Sequence, residues 1–257
     1  MVNIDEARQR GNELLRYASR WWAGEAEAAH TFFSNHRTPD EHLRWLRMQA
    51  FKELQPKPEG LIERLVLQLK DGFYTLEDKT NRTEYLETID FLLEEFRHYV
   101  LFADVVDAIT GSQLTTHELA GYEIPEERNL AALRRDYIQK FGKLAQAASS
   151  FCEGGGASLF YEGMQIGGDP VSDSIAAACR SVYEDEMDHA HHGVELMVQA
   201  AKTEADWQLA WEMVAAISQQ RLRMRNQQFG FPLAEARLQE IAVGKIELPA
   251  RFQALLV

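Results

Sequence analysis

The five residues EEFRH, Glu94–His98, decide how the rest of this sequence is interpreted. They lie in the middle of a segment, about 82–110, whose apolar residues recur at the 3.6-residue period of an α-helix. Glu95 and His98 are three residues apart, so their side chains share one face of this predicted helix. A carboxylate and an imidazole on one face form half of a metal site.

A second stretch of the same kind is DEMDH, Asp185–His189, in a segment predicted to be helical over about 172–202. Glu186 and His189 repeat the three-residue spacing. A single pair of this kind is more often part of a solvated helix face than a pair of ligands. Two such pairs in apolar surroundings indicate one shared metal site.

Each pair needs a partner carboxylate on the preceding helix, and the rise of about 1.5 Å per residue selects candidates at the matching depth. Glu153 is 13 residues from the predicted end of its helix, and Glu186 is 14 residues from the start of the next. Glu162 lies at the wrong depth. Glu63 and Glu95 match each other in the same way. The predicted ligands are Glu63, Glu95, His98, Glu153, Glu186 and His189.

Four carboxylates and two imidazoles favour a pair of divalent first-row ions, because hard oxygen donors can bridge two ions and a nitrogen completes each. Structural zinc sites use fewer ligands and more sulfur, and calcium does not favour histidine. The chain has only two cysteines, too few for a four-thiolate site. We therefore expect two iron ions, or iron with manganese.

The order Glu, Glu-x-x-His, Glu, Glu-x-x-His resembles the ligand set of the ferritin-like diiron-carboxylate superfamily. The resemblance implies an all-α fold: a ferritin-like four-helix bundle with additional N- and C-terminal helices, in one helical domain over 1–257. It also implies that Glu94 and Asp185 hydrogen-bond the opposite ligand histidines. The expected parts are an extension over 1–57, a metal-binding core over 58–202, and a C-terminal helix and tail over 203–257.

The crowded stretch EDEMDHAHHG, Glu184–Gly193, also resembles the heme-oxygenase-like diiron oxidases, which include a fatty-acid decarboxylase. These enzymes carry an acid or histidine, an aspartate and a histidine at i, i+4 and i+7. Glu184, Asp188 and His191 fit that spacing, as do Asp185, His189 and His192. In this alternative the fold is a heme-oxygenase-like helical bundle, and Glu63 is not a ligand. The alternative ligands are therefore Asp188, His191 and His192, which otherwise belong to the surface or surround the ligands.

Both resemblances imply an oxidoreductase that activates dioxygen at a non-heme diiron site with electrons from an external donor, such as a reductase or ferredoxin. The expected substrate is a small, partly apolar organic molecule that undergoes hydroxylation, desaturation, N-oxygenation or C–C cleavage. Tyr183 and Tyr99 are predicted to bond a ligand or to be oxidised. A ferroxidase or iron-handling protein, and a metal-free interaction module, are the alternatives.

The net charge of −13 argues against nucleic acid as the main partner, because phosphate binding needs a basic surface. The sequence predicts no membrane segment and no secretory signal, so we expect a cytoplasmic protein. The sequence is compatible with a homodimer. The glycines Gly154–Gly156 predict space beside the metal ions, a local π-bulge that aims the Glu153 carboxylate, or a plain helix break. Arg221, Arg223 and Arg225 are predicted to form a solvated helix end.

Overall fold

The protein is all-helical over the residues that the computed structural model describes, 3–58, 60–186 and 192–255. In these ranges the one β feature is an isolated bridge between Leu76 and Thr80. The side chains of Glu153, Glu186, His192 and residues 253–255 fall outside this description. The all-α prediction is confirmed. None of the described helices combines the length and the apolar character needed to cross a membrane.

The helices follow one another with short connections. They are α1 (Ile4–Phe33), α2 (Pro39–Leu54), α3 (Leu61–Tyr74), α4 (Arg82–Thr110), α5 (Thr116–Leu119), α6 (Pro125–Phe141), α7 (Lys143–Ser150), α8 (Glu153–Gly163), α9 (Pro170–Glu186), α10 (His192–Ala200), α11 (Glu204–Gln228), α12 (Glu235–Ala242) and α13 (Ala250–Leu255). The predicted bounds of α4 are confirmed, and so is a helix that the apolar period predicts over 204–228, which is α11. Asn81 and Glu84 have the spacing of a capping box in the sequence. In the structure Asn81 instead caps α4 by accepting a hydrogen bond from the Thr83 N–H, 2.8 Å.

The apolar period from about Asn129 to Ile166 predicts one long helix, and this prediction is wrong, because the structure has α6, α7 and α8 there. Gly142 ends α6 with φ 52° and ψ −125°, a conformation that residues with a side chain rarely adopt. A second interruption falls at Phe151 and Cys152, between α7 and α8. The segment predicted as one helix over 172–202 contains α9 and α10, and residues 187–191 between them lie outside the described residues.

The helices form two compact units. The first comprises Met1–His36, Ile124–Ile166 and Cys179–Val257. Its centre is α1, which contacts α8, α10, α11 and α12 and buries Trp21 and Trp22 almost completely. The expected division at 57/58 and 202/203 stays a prediction.

The second unit comprises Arg37–Glu123 and Gly167–Ala178. Its main contact is between α2 and α4, where the rings of Trp45 and Phe102 lie 6.2 Å apart. The helices α3 and α4 form a hairpin, in which the Tyr85 hydroxyl donates a hydrogen bond to the Leu69 carbonyl, 3.1 Å. Helix α4 therefore has neighbours on two of its faces, and it carries the first predicted ligand pair.

Candidate metal centre

Three metal-ligating side chains of the second unit converge between α2 and α4. One carboxylate oxygen each of Glu53 and Glu95 and one ring nitrogen of His98 lie within 4.8 Å of one another. His98 is 1% exposed and Glu53 is 8% exposed, while Glu95 is half-buried. These three side chains, Glu53, Glu95 and His98, are the candidate metal centre.

The register of two antiparallel helices brings these residues together. Trp45 of α2 packs against Phe102 of α4, and Glu53, two turns further along α2, lies near Glu95 and His98, which precede Phe102. Along this contact the residue numbers increase in α2 and decrease in α4, so the two helices run antiparallel. The three-residue spacing of Glu95 and His98 then presents both side chains to α2.

The carboxylate of Glu53 is oriented within its own helix. The side-chain amide of Gln49, one turn earlier and 2% exposed, donates a hydrogen bond to Glu53 Oε1. The neighbours of Glu53 along the chain, Phe51 and Leu54, are buried apolar residues. A carboxylate that is fixed by a second side chain within apolar surroundings is a typical arrangement for a metal ligand.

The charges of the group favour a bound cation. Two carboxylates at this separation repel each other by about 3 kcal/mol at an effective dielectric constant of about 20. The repulsion is relieved by a proton, by an imidazolium or by a metal ion. Two carboxylate oxygens and one imidazole nitrogen suit iron or manganese, and calcium does not favour the histidine. The residues present therefore fit one half of the expected dinuclear iron site.

Of the predicted first-half ligands, the structure brings Glu95 and His98 together. It does not bring Glu63 to them, because that side chain is exposed on α3. The sequence reasoning missed Glu53, although a signal for it existed: Trp45, Gln49 and Glu53 are spaced by four residues and lie buried along one stripe of α2. A glutamine and a glutamate in a buried stripe indicate a polar site within a core.

The predicted second half falls largely outside the described residues. The side chains of Glu153 and Glu186 lie outside them, and so does the side chain of His192. His189 lies outside them altogether, as do the alternative ligands Asp188 and His191. Their roles stay predictions.

The two acids predicted to bond the opposite histidines lie on the ligand helices. Glu94 is half-buried on α4, next to Glu95 in the chain. Asp185 is exposed on α9, next to Glu186. Their hydrogen bonds to the histidines stay predictions.

The two predicted tyrosines are half-buried. Burial raises the pKa of Tyr99, and the nearby Asp107 and Asp104 carboxylates raise it further. Burial also raises the pKa of Tyr183, whose ring lies 5.6 Å from that of Tyr161. Both phenols therefore keep their proton at neutral pH. Their part in chemistry stays a prediction.

The prediction that Arg221, Arg223 and Arg225 form a solvated helix end is wrong for two of them, which are buried. Arg221 and Arg225 are 6% and 1% exposed and donate hydrogen bonds to the buried carboxylate of Glu25, at 3.1 and 3.3 Å. Only Arg223 is partly solvated, and it pairs with Glu235. The reason is that α11 packs along α1, so that one face of its C-terminal half meets Glu25.

Two of the three glycines, Gly154 and Gly155, allow close packing between α8 and α1. They form the first turn of α8, which packs against α1. A Cβ atom on Gly154 would lie 2.6 Å from the Trp22 ring, and one on Gly155 would lie 2.1 Å from Glu25 Oε1. The expected helix break is present, but it precedes the glycines, at Phe151 and Cys152.

Comparison of this chain with family models, with curated proteins and with solved structures yields no match. The feature of the described residues that bears most directly on function is the candidate metal centre, a buried donor set between two packed helices.

Proposed function

We propose that the protein is a non-heme iron oxidoreductase that uses dioxygen to oxidise a small organic molecule. The observation that supports the proposal is the convergence of Glu53, Glu95 and His98 between α2 and α4. In this proposal Glu53 takes the place of the first carboxylate that the sequence pattern assigns to Glu63. Glu186 and His189 are the candidate donors to a second ion, by the resemblance of their motif.

The three residues would hold one iron ion through two oxygens and one nitrogen. When bound, ferrous iron would supply the electrons that let dioxygen react with an organic molecule at a useful rate. Such an ion requires deprotonated carboxylates and a neutral imidazole, and these three side chains are the groups that would provide them. The amide of Gln49 keeps the Glu53 carboxylate in one orientation. Burial of Glu53 and His98 excludes bulk water, which strengthens electrostatic interactions at the site.

Two bundle types are compatible with this chemistry. The ferritin-like bundle pairs the four carboxylates and two histidines symmetrically, and we propose it with Glu53 as the first carboxylate. The heme-oxygenase-like bundle assigns Asp188 and His191, or His189 and His192, to the second half. The exposed position of Glu63 agrees with the version of the site in which Glu63 is not a ligand.

Iron binding tests the proposal directly. The protein is loaded anaerobically with ferrous iron, desalted, and analysed for iron per chain, with about two ions expected for the dinuclear site. Glu53→Gln and His98→Gln should each lose at least one of these ions. Glu63→Gln is the matched control, because it removes the same charge from an exposed position, and it should keep the wild-type content. Less than half an ion per wild-type chain would refute the proposal.

The chemistry needs a second measurement. Exposure of the iron-loaded protein to dioxygen should give a transient visible absorption that decays faster when the right substrate is present. Candidate acids, amines and lipids are screened by that decay. An iron-handling protein would instead continue to oxidise added ferrous iron in large excess over the sites. Asp188→Ala should lower the iron content only in the heme-oxygenase-like bundle that uses Asp188 and His191, so a loss of iron in this variant would favour that arrangement over the ferritin-like one.

A further inference from the structure

The α3–α4 hairpin carries most of the large apolar side chains that are exposed. Among the described residues there are fourteen such side chains, and nine of them lie on this hairpin. Single exposed apolar residues are ordinary, whereas a concentration of them marks a contact surface. The nine are Val66, Leu67, Phe73, Tyr74, Leu86, Ile89, Leu93, Phe96 and Val100.

The five members on α4 form a regular stripe. They are separated by three, four, three and four residues and are between 38% and 56% exposed. This is the spacing of a and d positions in a coiled coil, where such a seam packs against another helix. We call these residues, Leu86, Ile89, Leu93, Phe96 and Val100, the α4 stripe.

The neighbours of α4 in its own unit leave the α4 stripe uncovered. The face that meets α2 carries His98 and Phe102, which are 1% and 0% exposed. The face that meets α3 carries Tyr85 and Thr88, which bond Leu69 and Gln68. The stripe is a third face, rotated by about 100° from the α3 face because it begins one residue later.

We propose that the α4 stripe is the interface of a homodimer, in which α4 packs antiparallel against α4 of a second copy. Leu93 then packs against Phe96 of the second copy, and Ile89 packs against Val100. A two-fold axis repeats each contact, so the same patch serves both chains. The remaining exposed apolar residues of α3 lie on the same hairpin, and two hairpins together form a four-helix arrangement.

Charged residues beside the stripe select this partner and this register. Asp90 and Arg97 are exposed and lie at the e positions along one edge of the stripe. In the proposed register Asp90 of each copy lies opposite Arg97 of the other, which gives two attractive pairs. A slip of one heptad would pack Ile89 against Leu93 of the second copy and place Asp90 against Asp90. The edge is thus self-complementary, whereas a helix that lies on a membrane surface carries a mainly basic polar face.

Charge reversal tests the proposal on wild-type and variant full-length protein. Sedimentation of the wild type at tens of micromolar should give twice the chain mass of 29.4 kDa. Asp90→Arg and Arg97→Asp should each weaken dimerisation by about tenfold or more at low salt, because two attractive pairs become repulsive. The double variant should restore it. An equimolar mixture of the two single variants should form heterodimers, since the mixed pair has only opposite charges in contact.

The control is Glu87→Arg, which reverses an exposed charge on α4 away from the stripe and should leave dimerisation unchanged. Circular dichroism checks that all variants keep their helix content. A wild type that stays monomeric would refute the proposal and assign the stripe to another partner. Single variants that dimerise as tightly as the wild type would also refute it, because the dimer would then use a different surface.

Discussion

The two units of the protein each bury a glutamate, and they balance its charge in different ways. Glu25 in the first unit is 1% exposed and accepts hydrogen bonds from Arg221 and Arg225. Glu53 in the second unit accepts a hydrogen bond from the neutral amide of Gln49 and lies within 4.8 Å of Glu95 and His98. In the first group two arginines bond the carboxylate, while in the second three possible metal-ligand atoms lie close together.

This difference separates a structural ion pair from a candidate metal site. Removing one partner of a buried ion pair leaves the other charge uncompensated, which is strongly destabilising. Removing one of two neighbouring carboxylates instead lowers their mutual repulsion. The same change, glutamate to glutamine, should therefore affect the free energy of unfolding differently at Glu25 and at Glu53.

The largest effect is expected at Glu25. Glu25→Gln leaves Arg221 and Arg225 buried without their carboxylate, so the free energy of unfolding should fall by about 3–5 kcal/mol. Urea denaturation followed by circular dichroism measures the change. The iron content per folded chain is the control and should not change. A loss below about 1 kcal/mol would show that the two arginines find another partner, and it would weaken the contrast between the two groups.

Metal binding should stabilise the protein through the candidate metal centre. Ferrous or manganous ion at a hundredfold excess over its dissociation constant should raise the free energy of unfolding by about 2.7 kcal/mol, and a chelator should reverse the gain. The gain should shrink at acid pH, because the ligands must be deprotonated. His98→Gln should abolish it, while Glu63→Gln should keep it. If these ions left the free energy of unfolding of the wild type unchanged, the result would contradict a metal site.

Sequence reasoning predicted the local part of this site. The helix Arg82–Thr110 follows from its apolar period and from its ends at Asn81 and Gly111. Glu95 and His98 share a face by their spacing alone. Both statements concern one helix, where the position of a side chain depends on the chain's own geometry.

The carboxylate from the neighbouring helix could not be predicted in the same way. Depth matching assumed that α3, the nearest helix in the chain, lies opposite the ligand pair, and it therefore selected Glu63. In the structure α2 faces His98, and it supplies Glu53. Which of two helices covers a face is decided by tertiary packing, and the sequence pattern of either helix is compatible with both arrangements.

Substitution of a glycine in α8 tests how closely this helix packs against the buried carboxylate of Glu25. In Gly155→Ala the new methyl group would meet Glu25 Oε1 at 2.1 Å, so the buried ion pair would have to move. We expect a net loss of about 1–3 kcal/mol, although alanine alone favours a helix by about 1 kcal/mol. Gly121→Ala is the control, because a Cβ atom there has no neighbour within 4 Å. If the two variants had the same free energy of unfolding, α1 and α8 would be able to move apart at no cost in stability, which would contradict close packing at Gly155.

The smallest effect is expected at Glu53 when no metal is bound. Glu53→Gln keeps the size of the side chain and an oxygen that can accept the hydrogen bond from Gln49, and it removes one of two close negative charges. The free energy of unfolding of the metal-free protein should change by less than about 1 kcal/mol, or rise, because the lost repulsion offsets any lost hydrogen bonding. Urea denaturation in the presence of a chelator measures it, beside Glu25→Gln under the same conditions. A loss as large as that at Glu25 would mean that Glu53 neutralises a cationic side chain of the protein, and the group would then be a structural ion pair.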